Sequence, residues 1–186
     1  MRLFTLEHSP WAYRADLALY AAASVALAAY LMLAGPSELR AEIVVVTLFG
    51  LAAWSAVEYA LHRFVLHGLQ PFRRWHAEHH RRPAALICTP TILSALLFAL
   101  LVWLPAWLLD DRWSASALTL GMLSGYLVFG LTHHVVHHSR SDSAWVLRRK
   151  RWHALHHHRL RDGDAPHGHY GVTSALWDHV FGSVSR

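Results

Sequence analysis

The sequence predicts an all-α integral membrane protein: four transmembrane helices, arranged as two hairpins, with a histidine-rich helical cap on one side. Three observations predict it. Hydrophobic residues make up 54% of the chain and charged residues only 16%, against about 25% charged in an average soluble domain. Four long apolar runs divide the chain. Of the 17 histidines, all but His8 gather at or beyond the ends of the second and fourth runs instead of scattering.

The first apolar run covers residues 17–33 and stops at Gly35-Pro36. The second covers 43–61 and leads directly into His62. The third covers 91–109, with Pro105 late in it, where a membrane helix tolerates a kink. The fourth covers 114–132 and leads into His133. Each is close to the ~20 residues that carry a helix across ~30 Å of hydrocarbon. Four such helices buried in a soluble core would need covering on every side, and 186 residues do not supply the material. All 186 residues read as one domain, with segments 62–90 and 133–186 forming the cap.

A formal charge of +5 would fit a nucleic-acid binder, but the basic residues flank apolar runs instead of lining a soluble face, so no nucleic acid is expected. Only Arg40 and Arg112 fall in the two outer connections; the other fifteen of the 17 Lys and Arg lie on the opposite side with both termini. The positive-inside rule makes that side cytoplasmic, and the expected location is a bacterial inner membrane. No cleavable signal peptide is read at the N-terminus. The single cysteine, Cys88, excludes an internal disulfide and any thiolate metal cluster.

The histidines form four groups: His62 and His67; His76, His79 and His80; His133, His134, His137 and His138; and His153, His156 and His157, followed by His158. Residues three and four apart share a helix face. That puts His76, His79 and His80 on one side, His153, His156 and His157 on another, and pairs His133 with His137. His62 and His67, five apart, share a face only if the helix end tightens or bends. Imidazole is the commonest metal ligand near neutral pH. Ten histidines at these spacings exceed the need of one ion and suit two. The alternative, a nonspecific His-rich metal-scavenging tract, is normally contiguous, and these groups are not.

The run Glu58-Tyr59-Ala-Leu-His62-Arg63-Phe64-Val-Leu-His67 resembles the first histidine box of the fatty acid hydroxylase superfamily, and the later groups resemble its remaining boxes in order. The closing stretch from Tyr170 to Gly182 is similar to the end of the catalytic domain there. The resemblance spans about residues 40–184 and is nearest to fatty acid 2-hydroxylases. It implies two metal ions, iron in the working enzyme although a purified sample can hold zinc, with His62, His67, His76, His79, His80, His133, His137, His153, His156 and His157 as ligands. It implies O2 as co-substrate and oxygen insertion into a lipid acyl chain drawn from the bilayer, at C2 of a fatty acyl group. Electrons would come from a separate protein, a ferredoxin or a b-type cytochrome with its reductase. The sequence departs from eukaryotic 2-hydroxylases at Phe129 and Gly130, where those enzymes often carry a Tyr-Asp pair.

Around the ligands, Glu58 is expected to orient a histidine, since a carboxylate on a membrane helix needs a partner. Asp178 either orients a ligand or caps a helix. His134, His138, His158 and His169 are candidates for extra ligands or outer partners, and His167 and His179 have weaker claims. The basic run Arg148-Arg149-Lys150-Arg151 suits anionic headgroups or an acidic electron carrier. Three other readings remain: a carotenoid ring hydroxylase, whose third box would use His133 and His138; a sterol-type oxidase or desaturase; and a non-catalytic metal-binding membrane protein.

Overall fold

The computed structural model describes residues 6–158 and 168–184. Every named element among them is helical. Helix α1 is Pro10–Ala34, α2 is Ser37–Leu66, α3 is Phe72–Arg81, α4 is Thr91–Leu109, α5 is Arg112–His138, α6 is Ala144–His158 and α7 is Leu176–Val180. Helices α1, α2, α4 and α5 are long and apolar enough to span a bilayer, and within their most apolar windows only 17%, 28%, 11% and 44% of residues are buried. Side chains such as Leu33, Leu101 and Leu109 stand exposed. Water would not tolerate so much uncovered apolar surface, and a bilayer supplies the missing cover. The protein is integral to a membrane.

Helix α1 begins at Pro10, well ahead of the apolar run at 17. The Ser9 hydroxyl accepts from the Ala12 N–H at 3.2 Å and Pro10 presets the first turn, so the helix forms through Arg14 and Asp16 despite their polarity. Helix α5 starts the same way, with Asp111 Oδ1 accepting from the N–H groups of Trp113 and Ser114 at 2.7 and 2.8 Å. It continues through His138, which places His133 and His137 on one face. Helix α4 widens over Ala99–Trp103, just before Pro105, which lacks an N–H and crowds the preceding turn.

The described chain divides into two compact units. The first holds residues up to Trp54 together with Leu86–Leu127. There α2 and α5 cross at Gly50 and Gly121, where backbone meets backbone. A Cβ on Gly121 would fall on the Thr47 carbonyl and lie 2.9 Å from the Gly50 Cα. Small residues permit such approaches between membrane helices, which gain packing there instead of hydrophobic transfer. A polar clasp ties α1 to α4: the Thr91 hydroxyl donates to Asp16 Oδ1 at 2.5 Å, and Tyr20 Oη lies 2.6 Å from Ser94 Oγ. Burial pushes the Cys88 thiol up to about 12, so it stays protonated and donates to His8 Nδ1, 2.7 Å away. Segment 86–90, assigned to the cap from sequence, belongs to this unit.

The second unit holds Ser55–Ala85 and the chain from Val128 onward. It contains the end of α2, all of α3, the end of α5, α6, and a closing segment at 168–184 that carries α7.

Gly121→Leu should therefore lower stability by about 1–3 kcal/mol through overpacking, read as a fall in apparent Tm in detergent. Leu101→Ala, at an exposed position, should leave Tm nearly unchanged.

Candidate metal centre

The second unit gathers ten histidines into two groups. The ligand-capable nitrogens of His62, His67, His76, His80 and His156 lie within 4.8 Å of one another, and so do those of His79, His133, His137 and His153. His157 joins the second group, its Nε2 3.0 Å from His153 Nε2. Each group is built alike. A transmembrane helix gives a pair (His62 in α2 with His67 capping its end, or His133 and His137 from α5). A short helix gives an i, i+4 pair (His76 and His80 from α3, or His153 and His157 from α6). The other short helix gives a single histidine (His156, or His79).

Helix geometry explains the division. Residue i+4 lies about 40° to one side of residue i and residue i+3 about 60° to the other. Thus His76 and His80 lean one way and His79 the other; on α6, His153 and His157 part from His156. Sequence spacing placed each triplet on a single face; the structure sends each to two groups. His62 and His67 meet by a different device. Over Leu61–Leu66 the helix widens, with the His67 N–H donating to the His62 carbonyl at 3.2 Å. A π turn brings positions five apart onto one face, so the α2 helix end loosens here, where sequence allowed tightening or bending.

Proton positions follow from carbonyls, which only accept. His62 Nδ1 donates to the Tyr170 carbonyl at 2.5 Å, and His156 Nδ1 to the Gly168 carbonyl at 2.8 Å. In neutral rings each Nε2 then carries a lone pair. The Nε2 atoms crowd together: His62 to His76 3.0 Å, His76 to His80 3.0 Å, and His156 to His67 and His80 3.1 Å each. In the second group His137 Nε2 lies 3.2 Å from that of His133 and 2.9 Å from that of His153. His79 is buried with both ring nitrogens making no hydrogen bond, a cost of about 1–3 kcal/mol for each unpaired group. Two nitrogens ~2.1 Å from one ion, at tetrahedral or octahedral angles, lie ~3.0–3.4 Å apart. The donor sets fit two metal ions. Burial, then the neighbouring imidazoles, hold His79 down to about 3, and burial with His158 holds His157 down to about 4. His76, His80 and His153 are lowered for the same reasons, burial first. Neutral imidazole is the form that binds metal.

Two carboxylates brace the segment behind these rings. Asp178, fully buried, accepts from the N–H groups of Tyr170 and Gly171 at 2.8 Å each and from Ser183 Oγ at 2.7 Å. It therefore fixes the very peptide whose carbonyl orients His62. Gly171 is required there, since a Cβ would strike the Ser174 carbonyl and lie 2.9 Å from Asp178 Oδ2. Glu58, expected to orient a histidine, instead accepts from Val172 N–H at 2.7 Å and from Thr173 N–H and Oγ1 at 2.9 and 2.6 Å. It acts one residue further back, on the same segment. The role of the Tyr170 and Gly168 carbonyls was not legible, because any residue supplies a carbonyl.

The remaining candidates lie apart from the two groups. His134 and His138 pair with each other at 4.7 Å between ring centres, and His138 and His158 are exposed. His169, in the left-handed region at φ 58°, packs edge-on against Trp152 at 4.3 Å, and His179 lies against the same indole. His167 lies outside the described residues. Phe129 stacks parallel to His133 at 5.8 Å. Of the basic run, Arg149 is buried and donates to the Thr173 carbonyl, and Lys150 donates to the Ser139 carbonyl, leaving Arg148 and Arg151 exposed. An open cleft of about 770 Å³ reaches both groups, passing Ala77, Arg81, Val136 and Lys150 to His80 and His157.

The fatty acid hydroxylase family model matches residues 47–183. The chain belongs to the fatty acid hydroxylase family. It is 34% identical over 154 residues to a dihydroceramide fatty acyl 2-hydroxylase of Arabidopsis thaliana, covering 77% of this chain and 62% of the relative. It is 32% identical to a ceramide very long chain fatty acid hydroxylase of Schizosaccharomyces pombe, covering 75% of this chain and 43% of that one. The chain thus spans about three fifths or less of the length of these relatives. Its fold matches the solved structure of full-length scs7p, of which only the hydroxylase domain is visible, with a TM-score of 0.74 at 23% identity over 97% of this chain and 68% of that one.

Asp178→Ala should cost at least about 2 kcal/mol by stranding buried donors, and should weaken metal retention in the His62 group more than in the His79 group, read by metal titration in detergent. Acid should also destabilise the metal-stripped protein. Below the ordinary imidazole value of 6.5 the unfolded chain takes up protons that folded His157 and His79 refuse, so stability is fully present above 6.5 and lost as pH falls toward about 4 and about 3. Unfolding midpoints measured from about pH 8 down to about pH 4 would check this.

Proposed function

We propose that the chain is a membrane dimetal oxygenase that hydroxylates a lipid acyl chain, at C2 of a fatty acyl group, with O2 and electrons from a separate donor protein. The observation that carries this reading is the matched construction of two five-histidine groups in a chain of this family. The donor sets support His62, His67, His76, His80 and His156 as ligands of one ion, and His79, His133, His137, His153 and His157 as ligands of the other. Iron is the metal of the working enzyme; zinc binds imidazole sites tightly and can replace it in a purified sample. Once bound, the ions supply O2 activation and the insertion of one oxygen atom into an unactivated C–H bond.

The chain's own residues do the rest. Tyr170 and Gly168 carbonyls hold the Nδ1 protons of His62 and His156, keeping each Nε2 available. Asp178 and Glu58 keep the closing segment in register so that the carbonyls stay in place. Burial lowers the imidazoles of His76, His79, His80, His153 and His157 and keeps those rings neutral at physiological pH. The relatives, a dihydroceramide fatty acyl 2-hydroxylase and a ceramide very long chain fatty acid hydroxylase, support a sphingolipid-type or fatty acyl substrate and the C2 position. The use of His137 with His133, and the exposure of His138, favour this over a carotenoid ring hydroxylase. All 186 residues serve the activity as a single hydroxylase domain in a bacterial inner membrane, with the histidines facing the cytoplasm, where a ferredoxin or a b-type cytochrome with its reductase delivers electrons.

Elemental analysis of the purified protein should find about two ions per chain, the number the two donor sets would take. His62→Ala/His156→Ala should lose one group's ion and His137→Ala/His153→Ala the other's. Cells expressing the wild type should accumulate 2-hydroxylated acyl lipids that both variants fail to make. Hydroxylation at another carbon, or wild-type metal content unchanged in both variants, would overturn the reading.

A further inference from the structure

Beside the His62 group runs a line of aromatic rings that the hydroxylation reading does not use. The Tyr170 ring lies 5.8, 5.5 and 5.6 Å from the rings of His62, His67 and His156. Tyr59 meets Tyr170 edge-on at 5.9 Å and is almost fully buried. On its other side Tyr59 stacks on Phe181 at 5.4 Å, an exposed ring that stacks in turn on Trp177 at 6.0 Å.

The hydrogen bonds at the Tyr59 phenol admit one direction only. Asp178 Oδ1 accepts, so the single Ser183 hydroxyl proton is committed to it at 2.7 Å. Ser183 Oγ must then accept from the Tyr59 O–H at 2.9 Å. Arg63, a donor without acceptor capacity, points an N–H at the Tyr59 oxygen from 2.5 Å and lies over both tyrosine rings at 5.8 Å. The result is a directed chain: Arg63 to Tyr59, Tyr59 to Ser183, Ser183 to Asp178. Such a chain can take the proton that a phenol sheds when it loses an electron. A phenol buried only for packing needs one partner, not a relay ending on a carboxylate.

We propose that Tyr59, reached through Tyr170, is a redox-active residue that returns an electron to the metal centre when the centre has been oxidised by O2 and no acyl chain is present to react. This rests on the dimetal oxygenase reading. In the step the Tyr59 O–H bond breaks. One electron passes through Tyr170 to the oxidised centre, which is reduced by one. The proton moves to Ser183 Oγ as the Ser183 proton moves to Asp178, leaving a neutral phenoxyl radical and a protonated carboxyl. Arg63 holds the phenoxyl oxygen. The external electron donor then supplies one electron, and the proton returns along the same chain to restore the phenol. The device spares the histidine ligands from oxidation during unproductive O2 consumption.

The experiment uses the full chain in detergent, loaded with iron, reduced, and mixed with O2 in the absence of lipid. Electron paramagnetic resonance should detect a phenoxyl radical whose spectrum narrows when the protein carries ring- and β-deuterated tyrosine. Tyr59→Phe, which keeps the ring, should abolish the signal while retaining the wild-type iron content. Ser183→Ala, which keeps the phenol but removes its proton acceptor, should cut the radical yield severalfold. Both variants should lose hydroxylation capacity faster than the wild type on incubation with O2 and reductant. A wild type that holds its iron and hydroxylates lipid, yet forms no tyrosyl radical or one unchanged in Tyr59→Phe, overturns the proposal and leaves the oxygenase reading standing. A wild type that binds no iron overturns both.

Discussion

An imidazole offers its Nε2 lone pair to a cation only while its proton is held elsewhere, and that constraint organises the second unit of this protein. Backbone carbonyls hold the proton for His62 and His156, and both belong to the closing segment. A carbonyl orients a ring only as well as its own peptide is fixed, so the segment is pinned by two buried carboxylates. Asp178 takes the N–H groups of Tyr170 and Gly171, and Glu58 takes those of Val172 and Thr173. Four consecutive backbone donors are thus satisfied by two acids. Residues 168–173, far from the first histidine box in sequence, thus hold the carbonyl that orients its His62 ring.

Such a site is expensive to assemble. Ten imidazoles crowded out of water repel protonation, leave lone pairs facing one another and strand both nitrogens of His79. None of that is a source of folding stability. It is tolerable because the helices that carry the rings are held by other means: the Gly50–Gly121 crossing and the Asp16–Thr91 clasp in one unit, the braced closing segment in the other. Bound cations would convert the cost into coordination energy.

The two groups are related in construction although the sequence shows no convincing repeat. Each takes a pair from a long helix, a pair from a short helix and one histidine from the opposite short helix. Because α3 and α6 each serve both groups, neither group can lose a short helix without disturbing the other. The same arrangement stacks His80 on His157 at 4.2 Å, a ring from each group.

The sequence by itself determined the membrane class, the four spans and the ten histidines that converge, because length, hydropathy and residue type are local properties. It misplaced the start of α1, since the Ser9-Pro10 cap outweighs the polarity of the first turns, and it read each histidine triplet as one face. Only the tertiary structure decided the rest. A spacing of three and four fixes relative angles on a helix but not what stands on either side, so the division of His76, His79 and His80 depended on where α2, α5 and α6 deliver their own rings. The widening at Leu61–Leu66 was equally hidden, being a backbone adjustment that pays off only once His62 and His67 meet a common group. Glu58 and Asp178 were visible as scarce acids, yet their partners are backbone N–H groups, and every residue but proline has one of those.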